Sequence, residues 1–343
     1  MDKRIIFSVA GSGKTSLIIN KLDMYEKSMI LTYTDNNLLN LKSKIIEKFG
    51  FMPDTIKVYS YFTFLYSFCY RPFLALKVKA KGINWDVPPL ATQKMPRGNM
   101  AFYLDGHRRL YHNRIAKLLE TKCVYSEIVH RLEKYFDNLY VDEVQDFGGH
   151  DFNVLNSIAC ANLNILFVGD YFQHTFDTSR DGNTNSNLHD DYEKYKKRFV
   201  QMGLIVDLDT LSKSHRCGPS VCNFISKNIG IEISSHRQDV TNIELIECQE
   251  KADLLFHCNK RVKLFYQEHD KYNCYSENWG GSKGQDCYKS VCVILNKNTF
   301  KLFSQGKLKD LNPKTKNKFY VACTRSSEHL YLVPDVLYQK YKQ

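Results

Sequence analysis

The segment Ser8-Val9-Ala10-Gly11-Ser12-Gly13-Lys14-Thr15 constrains this chain more than any other. It closes an apolar run over 4–9 and opens a helical pattern over 16–25, so it reads as a strand, a phosphate-binding loop and a helix. Gly11, Ser12 and Gly13 form the cradle, because glycines let backbone N–H groups turn toward an anion and the following helix adds its positive end. Lys14 is placed to reach β- and γ-phosphates, and the Thr15 hydroxyl to ligate Mg2+. Ser8 stands where the usual pattern begins with glycine.

Around that loop, short apolar runs alternate with helical patterns, which predicts an α/β fold with parallel sheets. Strands are expected at 4–9, 28–32, 56–60, 138–142 and 164–168, then at 204–208, 243–248, 290–295 and 329–333, with a helix at 312–324. At 343 residues the chain is long enough for roughly two domains. They are expected at 1–200 and 201–343, beyond a polar surface loop at 177–191. Residues 71–131 form an insertion in the first domain with twelve Lys/Arg against four Asp/Glu. Its Arg108, Arg109, Arg114 and Lys117 leave two readings open, a phosphate-facing stripe or a solvated helix face.

A second motif is Leu139-Tyr140-Val141-Asp142-Glu143, an apolar strand ending in two carboxylates. Ligands sit at the carboxyl edge of a parallel sheet, so Asp142 is a candidate for holding Mg2+ and Glu143 for deprotonating an attacking water.

With Asp142-Glu143-Val144-Gln145-Asp146 the chain resembles the UvrD/Rep group of superfamily 1 DNA helicases, whose motif reads D-E-x-Q-D. Further segments follow in that family's order. Leu31-Thr32-Tyr33-Thr34-Asp35 resembles L-T-F-T-N and Ser60-Tyr61-Phe62-Thr63-Phe64 resembles T-F-H-S-F, which makes Tyr33 and Thr63 candidates for single-strand contact. Gly169-Asp170-Tyr171-Phe172-Gln173 matches G-D-x-x-Q, in which the resemblance implies that Gln173 senses the γ-phosphate and that Phe176 stacks on a base. Ser214-His215-Arg216 resembles N-Y-R, so Arg216 would meet the γ-phosphate and His215 would stack on the nucleotide base. Gly281-Ser282-Lys283-Gly284-Gln285-Asp286 resembles K-S-K-G-L-E, with Asp286 for the ribose hydroxyl. Tyr320-Val321-Ala322-Cys323-Thr324-Arg325 resembles Y-V-A-L-T-R, with Arg325 as a second phosphate-site arginine.

The resemblance implies two RecA-like domains in tandem that hydrolyse ATP with Mg2+ at their seam, and a partner that is single-stranded DNA, with RNA open. It implies a translocase or helicase moving three-prime to five-prime. A second reading makes the chain a nucleic-acid-sensing NTPase subunit of a nuclease or effector complex, for instance in antiphage defence. The sequence departs from the family where seven residues precede Ser8, so that an adenine-reading Gln is not expected, and where His215 replaces Tyr, so base selection stays open. A small-molecule kinase fits neither Arg216 nor Arg325 in these settings.

Lys and Arg total 48 against 37 Asp and Glu, a net charge of +11 that suits a polyanionic partner. The eleven cysteines include no C-x-x-C pair, so they are expected to be reduced thiols rather than zinc ligands. No apolar run approaches a signal-peptide core or a membrane span, from which a cytoplasmic, membrane-free protein is expected.

Overall fold

The computed structural model describes residues 1–175, 182–285 and 287–343, so two expected site residues, Phe176 and Asp286, lie outside the described residues. The fold is α/β with RecA-like parallel sheets in tandem along the chain. The chain divides into two compact units. Unit 1 comprises Met1–Ile6, Thr15–Gly169 and Asp177–Asp207, and unit 2 comprises Phe7–Lys14, Asp170–Phe176 and Leu208–Gln343.

The main sheet of unit 1 uses β1 (Lys3–Phe7), β2 (Ser28–Thr32) and β3 (Ile56–Ser60). The insertion then contributes β4 (Gly82–Asn84) and β5 (Arg109–Tyr111), and the sheet resumes with β6 (Asn138–Val141), β7 (Asn164–Gly169) and β8 (Ile205–Asp207). The sheet order is β3-β2-β6-β7-β1-β8. β2 pairs in parallel with both β3 and β6, from Ser28↔Ile56 and Ser28↔Asn138 onward. All five residues of β2 and all four of β6 are buried, as expected of central parallel strands covered on both faces. The helix Asp35–Phe49 returns from β2, started by the Thr34 side chain accepting from Asn37 N–H at 3.3 Å.

Unit 2 carries a short parallel ribbon, β9 (Lys213–Ser214) with β10 (Ser234–Ser235). Its main sheet is built from β11 (Ile243–Leu245), β12 (Val262–Phe265), β13 (Ser276–Asn278), β14 (Val291–Leu295) and β15 (Leu330–Pro334), in the order β11-β15-β14-β12-β13. Every pairing in it is parallel. β12 and β13 are not among the expected strands, for physical reasons. Lys263 interrupts the apolar run of β12, yet it is fully buried and its ammonium donates to the Cys258 and Arg261 carbonyls at 3.0 and 3.1 Å. Burial holds its pKa below the ordinary lysine value. β13 is Ser-Glu-Asn at a sheet edge, so it offers no apolar period to read.

The insertion is not a basic stripe. Arg114 is buried, donating to Thr92 Oγ1 at 2.8 Å and the Phe102 carbonyl at 2.6 Å, with its guanidinium 3.9 Å from the Phe102 ring centre. Lys117 is buried beside the same ring, at 4.7 Å. These two cations hold the insertion together, while Arg109 opens β5 and Arg108 stands just before it. The eleven cysteines are all free thiols, and no group of three metal-ligating side chains occurs among the described residues. No helix among the described residues is long and apolar enough to cross a membrane.

Removing the Arg114 side chain leaves a cavity and an unsatisfied buried carbonyl, so Arg114→Ala is expected to destabilise unit 1 by about 2–4 kcal/mol. Urea denaturation followed by circular dichroism checks this, and a midpoint equal to that of the wild type would show that the buried cation contributes nothing.

Candidate nucleotide site

The phosphate loop lies with unit 2, and its backbone is fixed there by hydrogen bonds. Val9 N–H donates to the Leu211 carbonyl at 3.0 Å, and His215 N–H donates to the Gly11 carbonyl at 2.9 Å. Ala10 N–H donates to the Tyr320 hydroxyl at 2.9 Å, which in turn donates to Asp170 Oδ2 at 3.0 Å. Gly11 and Gly13 have φ of 69° and 90°, a region open to glycine at no steric cost. A Cβ on Gly11 would also come within 2.6 Å of Arg216 Cβ, so the loop and the arginine segment touch backbone to side chain. Ser12 Oγ is buried and has no hydrogen-bond partner among the described residues.

Gln173 and Arg325 are held in internal contacts. Gln173 is buried and its side-chain amide donates to Asp170 Oδ2 at 3.0 Å, so Asp170 receives both Gln173 and Tyr320. Arg325 is 2% exposed, with Nε donating to the Val321 carbonyl at 3.3 Å and a terminal nitrogen to the Gln285 carbonyl at 3.4 Å. Arg216 donates to the Thr324 carbonyl at 3.3 Å, immediately before Arg325 in the chain. Both guanidinium groups act on the buried Cys217 thiol, whose pKa burial nevertheless raises. The two arginines therefore converge on the end of the helix Pro313–Cys323, beside the loop. His215 is exposed and stacks on His236, with ring centres 4.0 Å apart and planes 10° from parallel.

The paired carboxylates belong to unit 1. Asp142 follows β6 directly, is buried, and is anchored by its N–H to the Leu31 carbonyl at 2.8 Å. Glu143 has left-handed backbone, φ 55° and ψ 46°, which non-glycine residues rarely adopt. Its N–H donates to Asp142 Oδ1 at 3.0 Å, and the Gln145 side-chain amide donates to the Glu143 carboxylate. The turn lies tight against the end of β7, where a Cβ on Gly169 would meet Gln145 Oε1 at 2.4 Å and Val144 Cγ1 at 2.7 Å. Asp142 and the Thr15 hydroxyl are oxygen donors of the kind Mg2+ takes when phosphates complete its shell, so they fit that ion.

The expected strand contacts are distributed differently. Tyr33 is 8% exposed, its ring packed against Tyr61, Phe62 and Phe147 and its hydroxyl donating to Asp151 at 3.4 Å. Thr63 is exposed, its hydroxyl 2.9 Å from that of Ser60. Tyr320, Gln145 and His236 are the site neighbours that the sequence reading passed over. Tyr320 and Gln145 stand inside motifs already noted, whereas His236 has no local signal.

The chain matches the viral superfamily 1 RNA helicase core domain over residues 110–333. It is similar to a PRRSV helicase at 13% identity and a TM-score of 0.51, covering 98% of this chain and 53% of that one. It is similar also to an arterivirus nonstructural protein 10 helicase solved with DNA, at 13% identity and a TM-score of 0.51, covering 96% and 60%. The same arterivirus helicase in another crystal structure gives 12% identity, a TM-score of 0.51 and coverages of 96% and 59%. At these identities the likeness is one of fold, and the chain spans between half and three fifths of those proteins. No curated protein sequence matches it.

Because Gly11 is constrained both by its φ and by Arg216, Gly11→Ala is expected to cost about 2 kcal/mol of stability. The same change is expected to weaken nucleotide binding about tenfold or more. Thermal melts and titration with a fluorescent nucleotide check the two effects, and an alanine that binds as the wild type does would show that the loop is not the phosphate cradle.

Proposed function

The chain belongs to the viral superfamily 1 RNA helicase core family, and from that premise we propose that it hydrolyses a nucleoside triphosphate, ATP first among them, to move along single-stranded nucleic acid. One observation carries the reading: the phosphate loop is hydrogen-bonded in one unit to the segments bearing Arg216 and Gln173, through His215, Tyr320 and Asp170.

In this reading the N–H groups of Gly11, Ser12 and Gly13 bind the phosphates, and Lys14 neutralises the β- and γ-oxygens. Thr15 and Asp142 would hold Mg2+, which when bound supplies charge neutralisation at the phosphates. Glu143 takes the proton of the attacking water, and the Gln145 amide keeps its carboxylate aimed. Arg216 and Arg325 offset charge on the transferring phosphoryl group, worth several powers of ten in turnover in related chemistry. Gln173 and Arg325 exchange their internal partners for phosphate oxygens as they do so, which links hydrolysis to a rearrangement around Asp170 and the helix Pro313–Cys323. His215 receives the base and Asp286 the ribose hydroxyl, while Thr63, Tyr33 and Phe176 serve the strand.

DNA is the first candidate strand, because the motifs resemble those of UvrD/Rep DNA helicases and one similar arterivirus helicase is solved with DNA. RNA competes through the family match. The three-prime to five-prime direction rests on the UvrD/Rep resemblance alone.

Steady-state hydrolysis with and without single-stranded DNA or RNA tests the proposal. Added strand is expected to raise wild-type turnover, and Glu143→Gln to lower it about a hundredfold or more while nucleotide still binds. Wild-type turnover that neither strand changes would remove the motor reading, and an unaltered rate in Glu143→Gln would remove Glu143 as the base.

A further inference from the structure

We infer that Trp85 is a stacking platform for a base of single-stranded nucleic acid, built by the insertion against Phe62, which precedes the expected strand contact Thr63 in the chain; this inference rests on the reading of the chain as a nucleic-acid motor. The chain has two tryptophans, of which Trp279 is fully buried and Trp85 is 61% exposed. Leaving most of an indole in water forgoes the burial that makes tryptophan favourable in a fold, so its position calls for a partner.

The placement follows from strand register. β4 and β5 pair in parallel with Asn84 opposite Tyr111, so the next residues of the two strands, Trp85 and His112, emerge side by side. His112 Nδ1 lies 3.3 Å from the Asn84 carbonyl oxygen, which fixes the imidazole against the ribbon. The Trp85 and His112 rings stack with centres 5.5 Å apart at 29°. Phe62 meets Trp85 edge-on at 5.0 Å and His112 at 5.5 Å. Phe62 is in turn edge-on to the buried Tyr33 at 5.7 Å. The indole is therefore oriented by two neighbours rooted in the core of unit 1 while most of its surface stays open. A ring held in one orientation loses little entropy when a base stacks on it.

Charge selects the occupant. With Arg114 and Lys117 taken into the core, the insertion still carries ten of its twelve cations outside it. Of its four acids, Asp105 already accepts from Arg109 and Asn84, and exposed Asp86 is the one that directly follows Trp85. Exposed Val87 and Leu90 follow Trp85 in the chain and suit an apolar protein partner as well, but a segment with twelve cations against four acids, whose exposed ring meets Phe62 of the expected strand-contact motif, matches a strand with a charged backbone and flat bases.

Trp85 is also its own reporter, because the second indole is buried. Titrating a short single strand of deoxythymidine or uridine into wild-type protein is expected to quench tryptophan emission in step with binding followed by the anisotropy of a labelled strand. Trp85→Phe keeps a stacking ring and is expected to lose the quenching while affinity changes less than about threefold. Trp85→Ala, whose melting temperature should match the wild type because the side chain is exposed, is expected to weaken binding about five- to a hundredfold. An abasic strand of equal length should bind wild type and Trp85→Ala alike and quench neither. Binding without quenching, or Trp85→Ala binding as tightly as wild type, overturns the platform and leaves the motor reading intact if the strand still stimulates hydrolysis. Failure of the wild type to bind any strand overturns both.

Discussion

The structure of the nucleotide site depends on one hydroxyl. Tyr320 accepts from Ala10 N–H, and since an amide nitrogen can only donate there, the phenolic proton must point the other way, to Asp170. Burial first and the Asp170 charge second push the Tyr320 pKa well above its ordinary value, so the proton stays and the direction is fixed. Asp170 is fully buried, and its carboxylate is satisfied by Tyr320, the Gln173 amide and Phe172 N–H. The Tyr320 hydroxyl, the Phe172 backbone amide and a γ-phosphate-sensing candidate thus share one buried carboxylate, and the phosphate loop reaches it through Tyr320. Any movement of Gln173 changes the charge environment of the group that holds the phosphate loop.

The acidic turn in unit 1 uses strain instead. Glu143 occupies a backbone region that costs roughly a kilocalorie or more for a side-chain-bearing residue. It persists because Asp142 caps its N–H, Gln145 grips its carboxylate and β7 presses from behind with a glycine where no Cβ would fit. The surroundings over-determine the turn, which is the condition under which such strain survives.

The insertion shows a division of labour among like charges. Arg114 and Lys117 became core residues around Phe102, where a guanidinium can lie flat on a ring and donate to a carbonyl together. The cations left outside keep the surface basic, and the parallel ribbon sets Trp85 and His112 beside each other although 26 residues separate them in the chain.

What the sequence determined by itself was whatever local chemistry enforces. A central strand such as Ser28–Thr32 or Asn138–Val141 is a mostly apolar run, the helix Pro313–Cys323 is announced by Asn312 and Pro313, and the phosphate loop needs its glycines, lysine and threonine in that order. Lys263 in β12 and the polar β13 broke that reading because a lysine whose ammonium finds nearby carbonyls can be buried in a strand, and β13 is held by its pairing with β12 rather than by an apolar period. Likewise, Arg114 looks the same as Arg108 in sequence, and only packing made one a core residue and the other a surface cation. Tertiary structure alone decided the hydroxyl relay through Tyr320 and the stacking of Trp85 on His112. Each depends on where a side chain's donor, acceptor or ring meets a partner from another element, and no periodicity along one segment encodes a meeting between two.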